Sequence, residues 1–365
     1  MLLSRLVSLP ARSAHLSDWR VVAWRGTVRT MQPHEPSLSA PIVIAHRGAS
    51  GLRPEHTLAS YALAIEQGAD FIEPDLVPTR DGVLVARHEN DISDTTDVAD
   101  HREFADRRAT KTIDGKKITG WFTEDFTLDE LRTLRAKERL PLLRPANKAY
   151  DGQLEVPTLA EIIALAKRES IACGRTIGIY PETKHPTYFA ELGLATDEPL
   201  VEALHAAGWR TAAAPVFIQS FEVENLRKIR ALTGLRLIQL LDADGAPADG
   251  ARTSYADMAS PEGLKAIARY AWGIGPNKSM IDDDGGLVRD AHQAGLRVHP
   301  WTFRAENYFL PRRWRKGLNP RGAGDLPSEI AHHLALGVDG FFTDFPAIGV
   351  EAVRAFTAES DGRTE

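Results

Sequence analysis

From residue 42 onward the chain repeats one pattern, a short apolar β-branched run followed by a longer stretch of helical period. That alternation is the sequence form of βα units around a parallel sheet. Nine runs qualify, at 42–46, 70–77, 83–88, 176–182, 215–220, 236–241, 272–275, 296–302 and 339–343. The third is set apart by the preceding Asp81-Gly82, a dipeptide that marks a tight hairpin rather than a crossover. Eight parallel strands remain, which is the number that closes a (β/α)8 TIM barrel. With 365 residues, 43% of them apolar and 26% charged, the chain can bury a full core, and its length suits one large barrel or two ordinary domains.

Several helix starts can be read between the strands. Thr127 with Glu130 and Thr158 with Glu161 fit capping boxes, and Pro261 follows Ser260 at a first helical position. Leu58, Tyr61, Ala62 and Ile65 recur at helical spacing, so that stripe is expected to face the sheet. Residues 89–155 are too long and too polar for a barrel loop and predict little beyond one helix near 127–137; they read as an insertion after the second strand. The barrel domain is therefore expected over 42–355.

Residues 1–41 stand apart, because Arg5, Arg12, Arg20, Arg25 and Arg29 face a single acid, Asp18, before Glu35. A secretory signal needs an apolar core of roughly 7 to 15 residues. The longest apolar run here is Val21-Val22-Ala23-Trp24, so the segment is expected to be a disordered extension or a leader, and a cytoplasmic location is favoured. A net charge of -6 gives no general pull toward nucleic acid. Cys173 is the only cysteine; it excludes an intrachain disulfide and a cysteine zinc site, and is expected as a small core residue.

The chemistry concentrates at strand ends. In "FIEPDLV", Glu73 and Asp75 lie two apart on a strand and project from one face. Two carboxylates side by side repel unless a cation lies between them. Glu182 of "IGIYPETK" closes another apolar strand and supplies a third oxygen ligand, a set that selects magnesium or calcium over zinc or copper. His46 and His88 close their own runs, at the end of a barrel where active sites lie, with Arg47 and Lys184 nearby. General acid and base are their natural roles. His292, His332 and His333 are expected to be surface or packing residues, and Gly48 and Gly51 allow a tight loop that can approach an anion.

Taken together, "AHRGASG", "RPEHT", "GADFIEPDLVPTRDG", "ARHENDISDTTDVAD", "GIYPETK", "QSFE", "GIGP", "VHPWT" and "GFFTDFP" resemble, in order, the motifs of the glycerophosphodiester phosphodiesterases, particularly the bacterial periplasmic type. The resemblance covers roughly 42–346 and implies a TIM barrel with an insertion after the second strand. It also makes the periplasm the alternative compartment. It implies that His46 and His88 are the acid/base pair, that Glu73, Asp75 and Glu182 hold one calcium or magnesium ion, and that Arg47 clamps the phosphodiester with Lys184 beside it. Glu55, Gln219, Phe221 and Trp301 are placed by it in the substrate site. His56 stands where many members carry asparagine, and Glu89 where aspartate is usual.

The implied reaction is metal-dependent hydrolysis of a small glycerophosphodiester, such as glycerophosphocholine or glycerophosphoethanolamine, to sn-glycerol 3-phosphate and an alcohol. Two other readings stay open. One is a phospholipase D-like lipid phosphodiesterase, for which Arg312, Arg313, Arg315, Lys316 and Arg321 around Trp314 could meet an anionic membrane. The other is a catalytically inactive binding barrel, against which the intact histidines and acids weigh.

Overall fold

The computed structural model describes residues 40–361, so the basic N-terminal segment lies outside the described residues except for its last two positions. Among the described residues thirteen strands are formed: β1 (Ile42–His46), β2 (Phe71–Glu73), β3 (Asp75–Pro78), β4 (Leu84–Ala86), β5 (Ala109–Ile113), β6 (Lys116–Gly120), β7 (Gly178–Ile179), β8 (Glu182–Thr183), β9 (Phe217–Ser220), β10 (Arg236–Leu241), β11 (Gly273–Pro276), β12 (Arg297–Val298) and β13 (Gly340–Thr343). They order as β13-β1-β2-β7 and β12-β11-β10-β9-β8-β3-β4, with a separate β5-β6 hairpin.

Both large sheets belong to one barrel, because two of the expected strands each break at a proline. Pro74 separates β2 from β3, and Pro181 separates β7 from β8. Proline cannot donate to a ladder, but its carbonyl still accepts. Glu182 N therefore donates to Pro74 O at 2.9 Å and Gln219 N to Pro181 O at 2.9 Å, which carries the pairing across both kinks. Closure comes from Asp339 N to Val298 O and Phe342 N to Pro300 O, both 3.0 Å. β4 runs antiparallel to β3, with Val77 opposite Val85, as the Asp81-Gly82 turn predicts.

Strand alternation sorts the side chains. Val43, Ala45 and Ile72 pack outward against helices. Ile42, Ile44, Phe71, Tyr180, Phe217, Ile238 and Phe342 fill the barrel. Period two then continues the inward series Ile42, Ile44 to His46, and Phe71 to Glu73, so the polar groups stand directly above an aromatic plug.

The structure corrects four local expectations. The helix near 127–137 is one turn, Leu128–Leu131, because Asp97 N donates to Arg135 O at 3.0 Å and Lys137 N to Thr95 O at 2.9 Å, drawing the chain beyond that turn into extended pairing. The helix Leu58–Glu66 buries Ser60, Tyr61, Ala64 and Ile65, whereas Leu58 is exposed in the first turn. Cys173 is exposed, at the last position of the helix Leu159–Cys173, where it meets solvent and not the sheet. The insertion contains an unanticipated hairpin, β5-β6, turned by Asp114-Gly115. The capping boxes at Thr127 and Thr158 are both formed. Among the described residues no helix is long and apolar enough to cross a membrane.

Candidate active site

At the C-terminal end of the barrel, parallel register sets Asp75 directly beside Glu182, with Glu73 two residues back on the same face. One oxygen from each lies within 4.8 Å of the others, and the three residues are 1%, 1% and 6% exposed. Burial, with the charges of Asp75 and Glu182, drives the Glu73 carboxyl well above its ordinary range. Burial also pushes Glu182 up to about 8 against the pull of Lys184, whose Nζ lies 3.0 Å away. Asp75 is the exception. Burial opposes its ionisation, but Lys184, His56 and Arg47 outweigh that and hold it well below the usual range.

A divalent cation at this point would remove the repulsion that drives two of the three carboxyls toward neutrality, and three carboxylates are hard oxygen donors suited to calcium or magnesium. The donor set therefore fits such an ion. The acids are fixed from behind: Gln219 Nε2 donates to Glu73 Oε1 at 3.1 Å, and Arg47 N to Glu73 Oε2 at 2.8 Å. His56, fully buried, spans Tyr61 Oη at 2.8 Å and Asp75 Oδ2 at 2.9 Å.

His46 is held by Asp344, the residue after β13. His46 Nδ1 lies 2.6 Å from Asp344 Oδ1, and Asp344 Oδ2 accepts from Arg144 Nη2 at 2.6 Å and Arg304 Nε at 2.9 Å. Burial, reinforced by Arg47, lowers the His46 pKa to about 4. Burial resists charge on Asp344 as well, yet Arg304, Arg144 and His46 together keep it a carboxylate. Arg144 comes from the insertion, where its Nε also reaches Glu306 at 2.6 Å.

His88 follows β4. Its Nδ1 lies 2.9 Å from Glu89 Oε1, so the longer glutamate side chain still reaches it. The His88 side chain is 29% exposed, and its partial loss of solvent, with the Arg47 and Lys184 charges, lowers its pKa below the ordinary value. Both imidazoles are thus neutral near pH 7, and in each Nδ1 faces a carboxylate, leaving Nε2 for the cavity.

That cavity, about 320 Å³, is lined by His46, Arg47, Glu73, His88, Glu182, Lys184, Gln219, Phe221 and Trp301, together with Leu240, Asp242, Thr302, Arg304 and Phe342. Asp75 lies beneath it as a neighbour of Glu182. Glu55 does not line the cavity: it sits behind Arg47, accepting from Arg47 Nη1 at 3.1 Å and Arg139 Nε at 2.9 Å. Trp301 Nε1 donates to Gly275 O at 2.8 Å, which fixes the indole against the wall. In the basic stretch, Arg313 pairs with Asp283 at 2.6 Å and Lys316 with Asp325 at 3.2 Å.

Sequence reasoning missed Asp344, Arg304, Arg144 and the part played by His56. Asp344 carried the same signal as Asp75 and Glu182, an acid closing an apolar strand. The two arginines lie in irregular segments and carried none.

A model described as the glycerophosphoryl diester phosphodiesterase family matches residues 46–348. A glycerophosphodiester phosphodiesterase of Arabidopsis thaliana is 38% identical over 84% of this chain and 84% of its own length. One from Bacillus subtilis is 30% identical over the same shares. Among solved structures, an Oleispira antarctica phosphodiesterase in complex with the product sn-glycerol-3-phosphate aligns at a TM-score of 0.60 and 23% identity, covering 86% of this chain and 97% of that one. A glycerophosphodiester phosphodiesterase from Agrobacterium tumefaciens aligns at 0.53 and 20% identity, covering 84% and 98%. These two likenesses establish the barrel fold.

Proposed function

The chain belongs to the glycerophosphoryl diester phosphodiesterase family and is a glycerophosphodiester phosphodiesterase; from that premise we propose that it hydrolyses small glycerophosphodiesters to sn-glycerol 3-phosphate and an alcohol, with one calcium or magnesium ion held by Glu73, Asp75 and Glu182. The observation that carries this reading is the opening of His46 and His88, the cations Arg47, Lys184 and Arg304, and Glu73 and Glu182 of the carboxylate cluster onto a single cavity. The product bound by the Oleispira antarctica enzyme supports the glycerol 3-phosphate half.

Phosphate-ester hydrolysis requires stabilisation on the order of 20 kcal/mol, of which acid/base catalysis contributes about 3 to 5. The remainder is electrostatic and positional. Arg47, held charged by Glu55, Asp75 and Glu73, and Lys184, held charged by Glu182 and Asp75, flank the position of the phosphodiester. A bound divalent ion would add stabilisation of charge on the phosphoryl oxygens.

One histidine accepts a proton at Nε2 from the attacking water as its oxygen bonds to phosphorus, and the other, protonated, gives a proton to the alcohol oxygen as the phosphorus–oxygen bond to it breaks. Because both rings are neutral in the open cavity, the acid becomes charged only as the anionic substrate displaces water. Phe221, Trp301, Leu240 and Phe342 form the apolar wall for carbon atoms of glycerol or alcohol.

The test is incubation with glycerophosphocholine and, separately, with intact phosphatidylcholine, with and without chelator, followed by identification of the phosphorylated product. Glycerol 3-phosphate from the first substrate alone, lost on chelation and restored by calcium or magnesium, is expected. Full activity after exhaustive chelation would remove the metal from the proposal, and release of phosphatidic acid would replace the substrate class.

A further inference from the structure

Behind His88 the structure builds something the proton-transfer role alone does not require. Glu89 holds His88 by Oε1, and its other oxygen, Oε2, lies 2.9 Å from His185 Nε2. His185 Nδ1 in turn lies 2.6 Å from Asp114 Oδ2, at the tip of the β5-β6 hairpin. Two imidazoles and two carboxylates alternate in one chain from the cavity to the surface. The hairpin that supplies the last member is tied down from the middle of β5, where Lys111 Nζ reaches Glu124 at 2.9 Å and Asp125 at 2.8 Å.

A second observation points to the same residues. Among the described residues, the non-glycine positions with positive φ are Arg47, His56, Asp114 and His185, at 60°, 53°, 48° and 45°. The first two bind the carboxylates of the proposed metal site. The other two bind each other. Left-handed backbone in non-glycine residues costs free energy and persists where the surroundings over-determine it, commonly at functional sites. His185 adopts it immediately before Pro186, and Asp114 adopts it in a turn whose aspartate is committed to His185.

We propose that Asp114 and His185 are positioning residues for His88: through Glu89 they hold its Nδ1 as the hydrogen-bond donor and its Nε2 free for the substrate, so that the insertion takes part in the reaction. This rests on the reading of His88 as a proton-transfer group. In this arrangement Glu89 accepts from both rings, and His185 donates from both nitrogens to two carboxylates. Its raised pKa, about 9, agrees: burial lowers it, but the hydrogen bonds to Asp114 and Glu89 prevail, with Lys184 opposing. The charge on His185 offsets that of Glu89, so Glu89 orients His88 without drawing a second proton onto it. The other charged groups facing His88 are Arg47, Lys184, Asp75 and Glu55.

The variants D114N and H185N test this, since asparagine tolerates the left-handed backbone at both positions. Each is expected to lower kcat for glycerophosphocholine about 10-fold, the scale at which outer orienting partners act, with KM and metal affinity within about twofold of wild type. The double variant should be no worse than the poorer single one, because the two residues act as a unit. In H185N the pH at which His88 protonates should rise, because Glu89 loses the compensating charge of His185. Imidazole nitrogen NMR should find His88 in one Nδ1–H tautomer in wild type and in a mixture in the variants.

Unchanged kcat, pH profile and tautomer in both variants, alongside an inactive His88→Ala protein, would overturn the positioning role and leave the proposed function standing. Parallel losses in kcat, metal affinity and melting temperature would also overturn it, since a structural role predicts them. Wild-type turnover in His88→Ala would instead remove the role of His88, and the positioning proposal with it.

Discussion

The two histidines are oriented by the same device in opposite surroundings. His46 is 8% exposed and Asp344 2%, and the two arginines that complete Asp344 reach it through the interior, Arg144 from the insertion and Arg304 from the loop after β12. The His88 side chain is 29% exposed, Glu89 42%, and their chain runs outward to a hairpin tip. In the buried cluster each charge depends on its partner, because an uncompensated ion there is costly. At the mouth, water screens whatever is lost. Orientation of His46 is therefore coupled to the stability of the barrel, while orientation of His88 is adjustable at little structural cost.

The largest test of that difference is Asp344→Asn. It should lower turnover as far as loss of His46 does, and also lower unfolding free energy by about 3 to 5 kcal/mol, because Arg144 and Arg304 lose their shared anion. Urea unfolding within about 1 kcal/mol of wild type would erase the contrast. Next come His46→Ala and His88→Ala, each expected to reduce turnover by ~10²–10⁴, with the double variant far short of the product. A p-nitrophenyl phosphodiester, whose leaving group needs no proton, should rescue one variant and so identify the acid. Equal losses on both substrates for both variants would mean the pair has no separate acid and base roles.

A smaller effect probes the carboxylates between the histidines. Glu182 is raised from 4.5 to about 8 in the folded chain, so its contribution is fully present below pH about 4.5 and is lost as pH rises toward 8. Chelated protein should accordingly lose melting temperature across that window. Added calcium or magnesium should cancel the loss, and Glu73→Gln or Asp75→Asn should weaken the metal dependence; a metal-independent pH curve would exclude the assigned ligands. The smallest effect is expected for Glu89→Gln, with turnover down about 10-fold and stability changed by less than about 1 kcal/mol. A large stability loss there would show that the mouth is as interdependent as the interior.

Much of the barrel was legible because its signals are local. Hydrophobic runs, the Asp81-Gly82 turn and the capping boxes each act within a few residues, and period two alone sets His46 and Glu73 on the inward face. The same local rule failed at 127–137, where a capping box began a helix that long-range pairing of Arg135 and Lys137 with the 95–97 segment ended. It also failed at Asp114-Gly115, where the turn signal was present but sat in a polar stretch without hydrophobic alternation.

What the sequence by itself determined is the inventory and its first placement: eight parallel strands, three acids and two histidines at strand ends, and a cation beside each cluster. Those follow from covalent order and side-chain period. Only the tertiary structure decided which groups hold them. Arg144 meets Asp344 across 200 residues, His46 meets Asp344 across 298, and Asp114 meets His185 across 71. No local periodicity encodes such pairs. They form because a closed barrel brings its first and last strands together, and because an insertion with its own apolar cluster of Ile92, Val98, Phe104, Phe126, Leu131 and Leu134 packs on Val77 and Val85 and so brings its polar side chains over the barrel mouth.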